Sequence, residues 1–238
     1  SKKERDSYKK LVLTSFLIGF LTCGWFYGNL YITSGSITAF NDTPESFSFS
    51  NQNSDFYNPF NPESIKVFSE PIRPNFSNQL LPILYSDLWG DYWGYFSFTS
   101  RSFEQGRNQE SIGDYLGRVN ILSLIPTFLM ILGLSHCKKA FSNKNKSSLD
   151  LINIYLFFSI FISLIGYLWF LIKYPGSSSG DTIKSTYMIQ VFHAMALFGA
   201  QYLEKVKNNS FNVYLIFISL LVIVFVHNFQ AMLSHFVI

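Results

Sequence analysis

The chain has 238 residues, 48% of them hydrophobic and only 14% charged, against about 25% charged in ordinary soluble domains. A net charge of +3, segregated along the chain rather than gathered into a patch, excludes a nucleic-acid footprint. What remains is an integral membrane protein with one helical bundle and one sizeable extramembrane loop.

Five apolar stretches follow in chain order: Leu11–Tyr31, Val119–Ser135, Leu151–Ile172, Tyr187–Leu203 and Phe211–His235. Each is close to the ~20 residues a helix needs to cross a hydrocarbon core about 30 Å thick. The expected fold is therefore all-α, with five transmembrane helices and one large, mostly irregular external loop. Residues 1–31 hold a basic N-terminus and the first span, residues 32–118 the loop, and residues 119–238 a four-helix membrane bundle with short connections.

Positive charge sets the expected orientation. Lys2, Lys3, Arg5, Lys9 and Lys10 precede the first span, Lys138, Lys139, Lys144 and Lys146 follow the second, and Lys205 and Lys207 follow the fourth. These segments read as cytoplasmic. The stretch Ile32–Arg118 has five basic residues (Lys66, Arg73, Arg101, Arg107, Arg118) against ten acidic ones, and with the connection Lys173–Thr186 it reads as external. The expected location is a plasma or inner membrane, multi-pass.

The external loop changes character along its length. Ser34–Asn58 has no helical period. Pro59, Pro62, Pro71, Pro74 and Pro82 then punctuate a turn-rich stretch that cannot be a long helix. Ile112–Asn120 has helical character and leads into the second span. Pro126 is expected to kink that span. Cys23 and Cys137 fall at different depths of the membrane, and no Cys-x-x-Cys occurs, so neither a disulfide nor a zinc site is indicated. The sequence implies no cofactor, and a divalent metal is left open without being indicated.

Chemistry concentrates at three places. The run Tyr85-Ser-Asp-Leu-Trp-Gly-Asp-Tyr-Trp-Gly-Tyr-Phe96 interleaves Asp87 and Asp91 with Trp89, Tyr92, Trp93 and Tyr95. Aromatic faces pack on the C–H surface of a sugar while carboxylates accept its hydroxyl hydrogens. An interfacial aromatic belt is the alternative, although a belt needs neither Asp nor Gly. In Tyr174–Tyr187 a Gly/Ser turn leads to Asp181, Thr182 and Lys184 at a helix start. Asp181 there caps the helix, or with Lys184 and free N–H groups holds a phosphate. Lys184 at an external span entrance runs against the charge trend, and snorkelling is the other explanation.

Arg118 occupies the matching entrance of the second span and offers a second cation for a phosphate leaving group. Within the spans, Gln190 and His193 share one helix face, with Gln201 farther on; interhelical hydrogen bonding is the expected role. Ala196 and Ala200 offer a small-residue packing stripe. His227 and His235 lack metal-ligand spacing.

Tyr85–Phe96, Tyr115–Asn120 and Lys173–Tyr187, each beside a span, resemble the C-terminal part of GT-C type membrane glycosyltransferases related to the protein O-mannosyltransferase and aminoarabinose-transferase group. The resemblance covers roughly residues 82–208. It implies an inverting transfer of sugar from a polyprenyl-phosphate donor to an acceptor at the external face, with the lipid-linked donor, membrane lipid and the acceptor as partners. It further implies Arg118 and Lys184 as phosphate contacts and Asp87, Trp89, Asp91, Trp93 and Tyr187 as sugar or acceptor contacts, with Asp91 as the general base if the chain acts alone. The group's usual carboxylate loop lies near the N-terminus, and none precedes Leu11 here. The chain opens on Ser1, either with its initiator removed or as the later part of a longer protein, and the resemblance implies a C-terminal portion that lacks an N-terminal membrane part, or a divergent partial enzyme without its own base. The competing expectations are a non-enzymatic subunit whose aromatic loop docks a partner protein, and a transporter fragment, which the absence of an inverted repeat disfavours.

Overall fold

The computed structural model describes residues 2–37, 46–71, 79–91, 109–175 and 183–233, and among them every regular element is helical. The chain divides into two compact units, residues 1–45 and 46–238.

The first unit is α1, Lys2–Ser34. Its axis bends by 46° between Val12–Thr22 and Gly24–Ser34. Thr22 sits at the bend and donates its hydroxyl to the carbonyls of Ile18 (2.9 Å) and Gly19 (3.0 Å). A side-chain donor drawn into the carbonyl row in this way bends helices. The helix stops at Gly35, whose φ of +70° suits glycine and whose N–H reaches the Tyr31 carbonyl.

The second unit opens with short capped turns instead of irregular chain. A 3-10 turn, Phe49–Asn51, precedes α2, Ser54–Tyr57; a longer 3-10 segment, Pro62–Phe68, precedes α3, Leu80–Trp89. Ser48, Asn53 and Asn61 cap the first three, each accepting a backbone N–H. Pro62 opens its segment and Pro82 lies in the first turn of α3, where the missing N–H had no helical partner to lose. The prolines thus fix short helices where the sequence suggested mostly irregular loop.

The bundle follows as α4 (Gln109–Leu122), α5 (Leu124–Gly133), α6 (Ser135–Ser142), α7 (Ser148–Lys173), α8 (Ile189–Asn209) and α9 (Phe211–Leu233). Pro126 cannot donate to Leu122, and the helix breaks at Ser123 between α4 and α5. A capping box between Ser147 and Asp150 starts α7. Three helical stretches among the described residues are long and apolar enough to cross a membrane: Ile112–Ser142, Ser148–Lys173 and Phe211–Gln230. The bent α1, counted as one span, makes a fourth. Among the described residues the count stops at four of the expected five, because in α8, 21 residues long, Gln190, His193, Gln201, Glu204 and Lys205 dilute the apolar surface.

Backbone meets backbone where α5 crosses α8. A Cβ on Gly133 would stand 2.2 Å from the Phe198 carbonyl oxygen and 2.8 Å from the Gly199 nitrogen. Ala196 and Ala200, the small residues that the sequence put forward, are exposed. The close approach runs instead through Gly199, one residue round the helix, and the fully buried Phe198.

Polar side chains clamp the remaining pairs. Asn153 on α7 and Gln201 on α8 exchange two amide hydrogen bonds, 3.0 and 2.8 Å. Asn228 on α9 donates to Ser123 Oγ (2.8 Å), and Tyr115 on α4 donates to the His227 carbonyl (2.9 Å) while stacking on its ring. Gln201 therefore fulfils the interhelical role expected of it. Gln190 and His193 do not, since they bond to their own chain at the Tyr187 and Ile189 carbonyls.

The reciprocal amide pair gives a measurable expectation. Asn153→Leu or Gln201→Leu alone should each cost about 1–2 kcal/mol, because the surviving amide loses its partner in an apolar setting. The double variant should recover most of that loss. Thermal unfolding of the four proteins in detergent checks this cycle, and additive losses would mean the pair is not coupled.

A buried carboxyl cluster as candidate functional site

Two segments far apart in sequence meet at one end of the α7/α8 pair. The 3-10 turn Ser185–Met188 leads into α8 and packs against α3 and α7. Asp87, on α3, accepts the Ser185 N–H at 3.0 Å through Oδ2. Beside this bond Tyr167 of α7 grips the backbone of Lys184: its hydroxyl accepts the Lys184 N–H (2.8 Å) and faces the Lys184 carbonyl (3.3 Å). The turn is thereby held from both sides, by a carboxyl and by a phenol.

Helix α3 is anchored in turn by α4. Asn120 is fully buried and donates its amide to the Val67 carbonyl (2.7 Å) and to Ser86 Oγ (3.0 Å). Tyr85 donates to the Asn120 carbonyl at 2.6 Å, and burial pushes its hydroxyl up to about 12, so the donor proton stays in place. The end of α3 lies so close to α4 that a Cβ on Gly90 would come within 2.9 Å of Leu116 and 3.0 Å of Val119. Gly90 and Asp91 both donate their N–H to the Ser86 carbonyl, which turns the chain after the helix and sets Asp91 beside Asp87. Below, Asn51 and Gln52 donate side-chain amides to the Ile172 and Leu171 carbonyls, satisfying the last turn of α7.

The electrostatics are those of a carboxyl removed from water. Asp87 is 0% exposed and Asp91 2%. Burial, and after it the neighbouring Asp91, hold the Asp87 carboxyl well above the usual range, while the Ser185 N–H and the nearby Lys184 charge pull it down. Among the described residues Asp87 Oδ1, Trp89 Nε1 and Asn120 Oδ1 are buried without a hydrogen-bond partner. A carboxyl in this environment retains its proton where a free aspartate has lost it.

Of the residues singled out in the sequence, the structure brings Asp87, Asp91 and Lys184 together, with Trp89 half-buried on the same helix. Tyr187 is exposed and leans towards Tyr167 and Phe170, with ring centroids 6.2 and 5.6 Å away. Arg118 lies on the exposed side of α4; Asn120, two residues on, hydrogen-bonds to Ser86 of α3. Trp93 and Asp181 lie outside the described residues, as do Tyr92, Tyr95 and Thr182. Ser86, Asn120, Tyr167 and Ser185 form much of the framework and were not singled out. A polar Asn120 at an apolar span entrance was the one signal that pointed to it.

Compared with known proteins, the chain matches no protein-family model, no curated protein and no solved structure.

Proposed function

We propose that the chain is a membrane glycosyltransferase, or the C-terminal part of one, that uses a polyprenyl-phosphate sugar donor at the membrane face where α3 meets the Ser185–Met188 turn. The observation that carries this reading is the convergence of Asp87, Asp91 and Lys184 from two separate connections. Asp91 takes the proton of the acceptor hydroxyl as its oxygen bonds to the anomeric carbon. The carbon–oxygen bond to phosphate breaks, and the electron pair leaves with the polyprenyl phosphate, whose charge Lys184 stabilises. Asp87 positions the Ser185 turn that carries Lys184, and Trp89 supplies an aromatic face for the sugar.

A second reading, a non-enzymatic subunit that docks a partner protein, draws support from the burial of Asp87 and Asp91. Carboxyls closed off in this manner also serve as fixed struts beneath a recognition surface.

Transfer of radiolabelled sugar from polyprenyl-phosphate donors, measured in membranes, separates the two. Asp91→Asn and Lys184→Ala are expected to lower transfer by about a hundredfold or more each, with expression and cooperative folding retained. Lys184→Ala leaves the Tyr167 bonds intact, since those involve only its backbone. Unchanged transfer in both variants, or none from wild type supplied with any upstream portion encoded in the same gene, sinks the transferase and leaves the docking subunit.

A further inference from the structure

The α7/α8 pair has a second end. Asn153 faces Gln201, and Tyr167 faces Lys184 and Tyr187. The two helices are therefore antiparallel, and Ser147 at the start of α7 stands level with the residues around Lys207 at the end of α8. From Ser147 to Tyr167 the helix rises ~30 Å, at 1.5 Å per residue, which is about one hydrocarbon thickness. The Asp87 cluster and this opposite end are thus a membrane's width apart.

The opposite end gathers lysines from two connections. Lys138, Lys139 and Lys144 come from α6 and the link after it, and Lys205 from the last turns of α8; all four are exposed. Lys146 is occupied, donating to the Ala140 (2.9 Å) and Asn143 (3.1 Å) carbonyls at the end of α6. Lys207 sits over the Tyr214 ring, 5.8 Å from its centroid. The acids within residues 135–150 and 201–214 are Asp150 and Glu204. Asp150 is engaged by Asn143 and by the Ser147 N–H and hydroxyl. Directly beside the lysines begin exposed apolar side chains: Leu149 and Leu151 on α7 and Phe211 on α9.

We infer that this lysine-bearing end is a docking surface for the headgroups of anionic phospholipids, formed jointly by Lys138, Lys139, Lys144 and Lys205. The charge recognises the phosphate, and the adjoining apolar wall selects a bilayer lipid over a soluble anion, because a free phosphate has no acyl chain to lay against Leu149, Leu151 and Phe211. Each lysine close to an anionic leaflet contributes about a fivefold preference, weakened by salt. The inference does not rest on the transferase reading.

Native mass spectrometry of the full detergent-solubilised chain, titrated with phosphatidylglycerol or phosphatidylcholine, tests it. Wild type is expected to retain phosphatidylglycerol at least tenfold better. The quadruple variant Lys138→Gln, Lys139→Gln, Lys144→Gln, Lys205→Gln should lose that preference with an unchanged thermal midpoint. Lys66→Gln, which removes a half-buried lysine paired with Glu63, should keep it. Equal retention of the two lipids, a preference that survives the quadruple change, an equal loss in Lys66→Gln, or full displacement by inorganic phosphate would each overturn the assignment.

Discussion

Alanine in place of Gly133 is expected to destabilise the bundle by about 3 kcal/mol or more, since among the glycines of the described residues its added Cβ meets the closest backbone. The reason is geometric. The added Cβ would lie 2.2 Å from the Phe198 carbonyl oxygen and 2.3 Å from its carbon. Both obstacles are main chain of α8, so no rotamer change relieves the clash, and α5 and α8 must part along their whole contact. For a chain of this size the thermal midpoint should fall by about 6–12 °C. Two controls bracket the effect. Gly199→Ala, with its nearest atoms on Met130 at 3.4 Å, should cost less, and Gly166→Ala, with nothing within 4 Å, should be neutral or slightly stabilising. Similar midpoints for all three would show that the α5/α8 crossing does not hold the bundle together.

The same crossing shows what a sequence makes legible and what it hides. Apolar runs of span length announced helices, and each of the five places is helical over most of its described residues, with breaks at Ser123 and Leu134 in the second. Their ends were less visible. The stretch Val119–Ser135 belongs to a longer apolar path, Ile112–Ser142, because the amphipathic turns of α4 and α6 extend it on either side. Small residues announced a tight contact, but choosing between Ala196/Ala200 and Gly199 requires knowing which face of α8 meets α5. One residue is 100° of rotation, and α8, with polar groups on several sides, does not declare its buried face.

The candidate site was half legible for a similar reason. Asp87, Asp91 and Lys184 stood out as charges beside spans, and the fold places them together. Their partners in the fold, the Ser185 N–H and the Tyr167 hydroxyl, are a backbone group and one tyrosine among fourteen. Neither carries a pattern that sequence alone distinguishes. Burial was also hidden, since aspartates next to tryptophans and glycines read as an exposed recognition loop.

That burial leads to the second large effect. Asp87 has a folded-state affinity for its proton well above that of a free aspartate, caused first by burial and next by Asp91. Between the ordinary aspartate range and that raised value the folded state binds more protons than the unfolded one, so stability must fall as pH rises through this window. Below the window both states are protonated and Asp87 contributes no slope. Wild type should therefore melt at a higher temperature near pH 5 than near pH 8, each kcal/mol corresponding to about 2–4 °C. Asp87→Asn should flatten this part of the profile and melt higher than wild type at pH 8, because the amide oxygen can still accept the Ser185 N–H without a buried charge. Asp91→Asn should shrink the slope without abolishing it, as it removes the second cause and leaves the first. Asp87→Ala must behave differently, removing the carboxyl that accepts the Ser185 N–H at a cost of about 1–3 kcal/mol at every pH. Differential scanning fluorimetry of the four proteins from pH 5 to 8 decides the matter. A wild-type profile that is flat or rises with pH while Asp87→Asn matches it would mean that Asp87 is ionised and solvated in the folded protein, and the buried cluster would have to be redrawn.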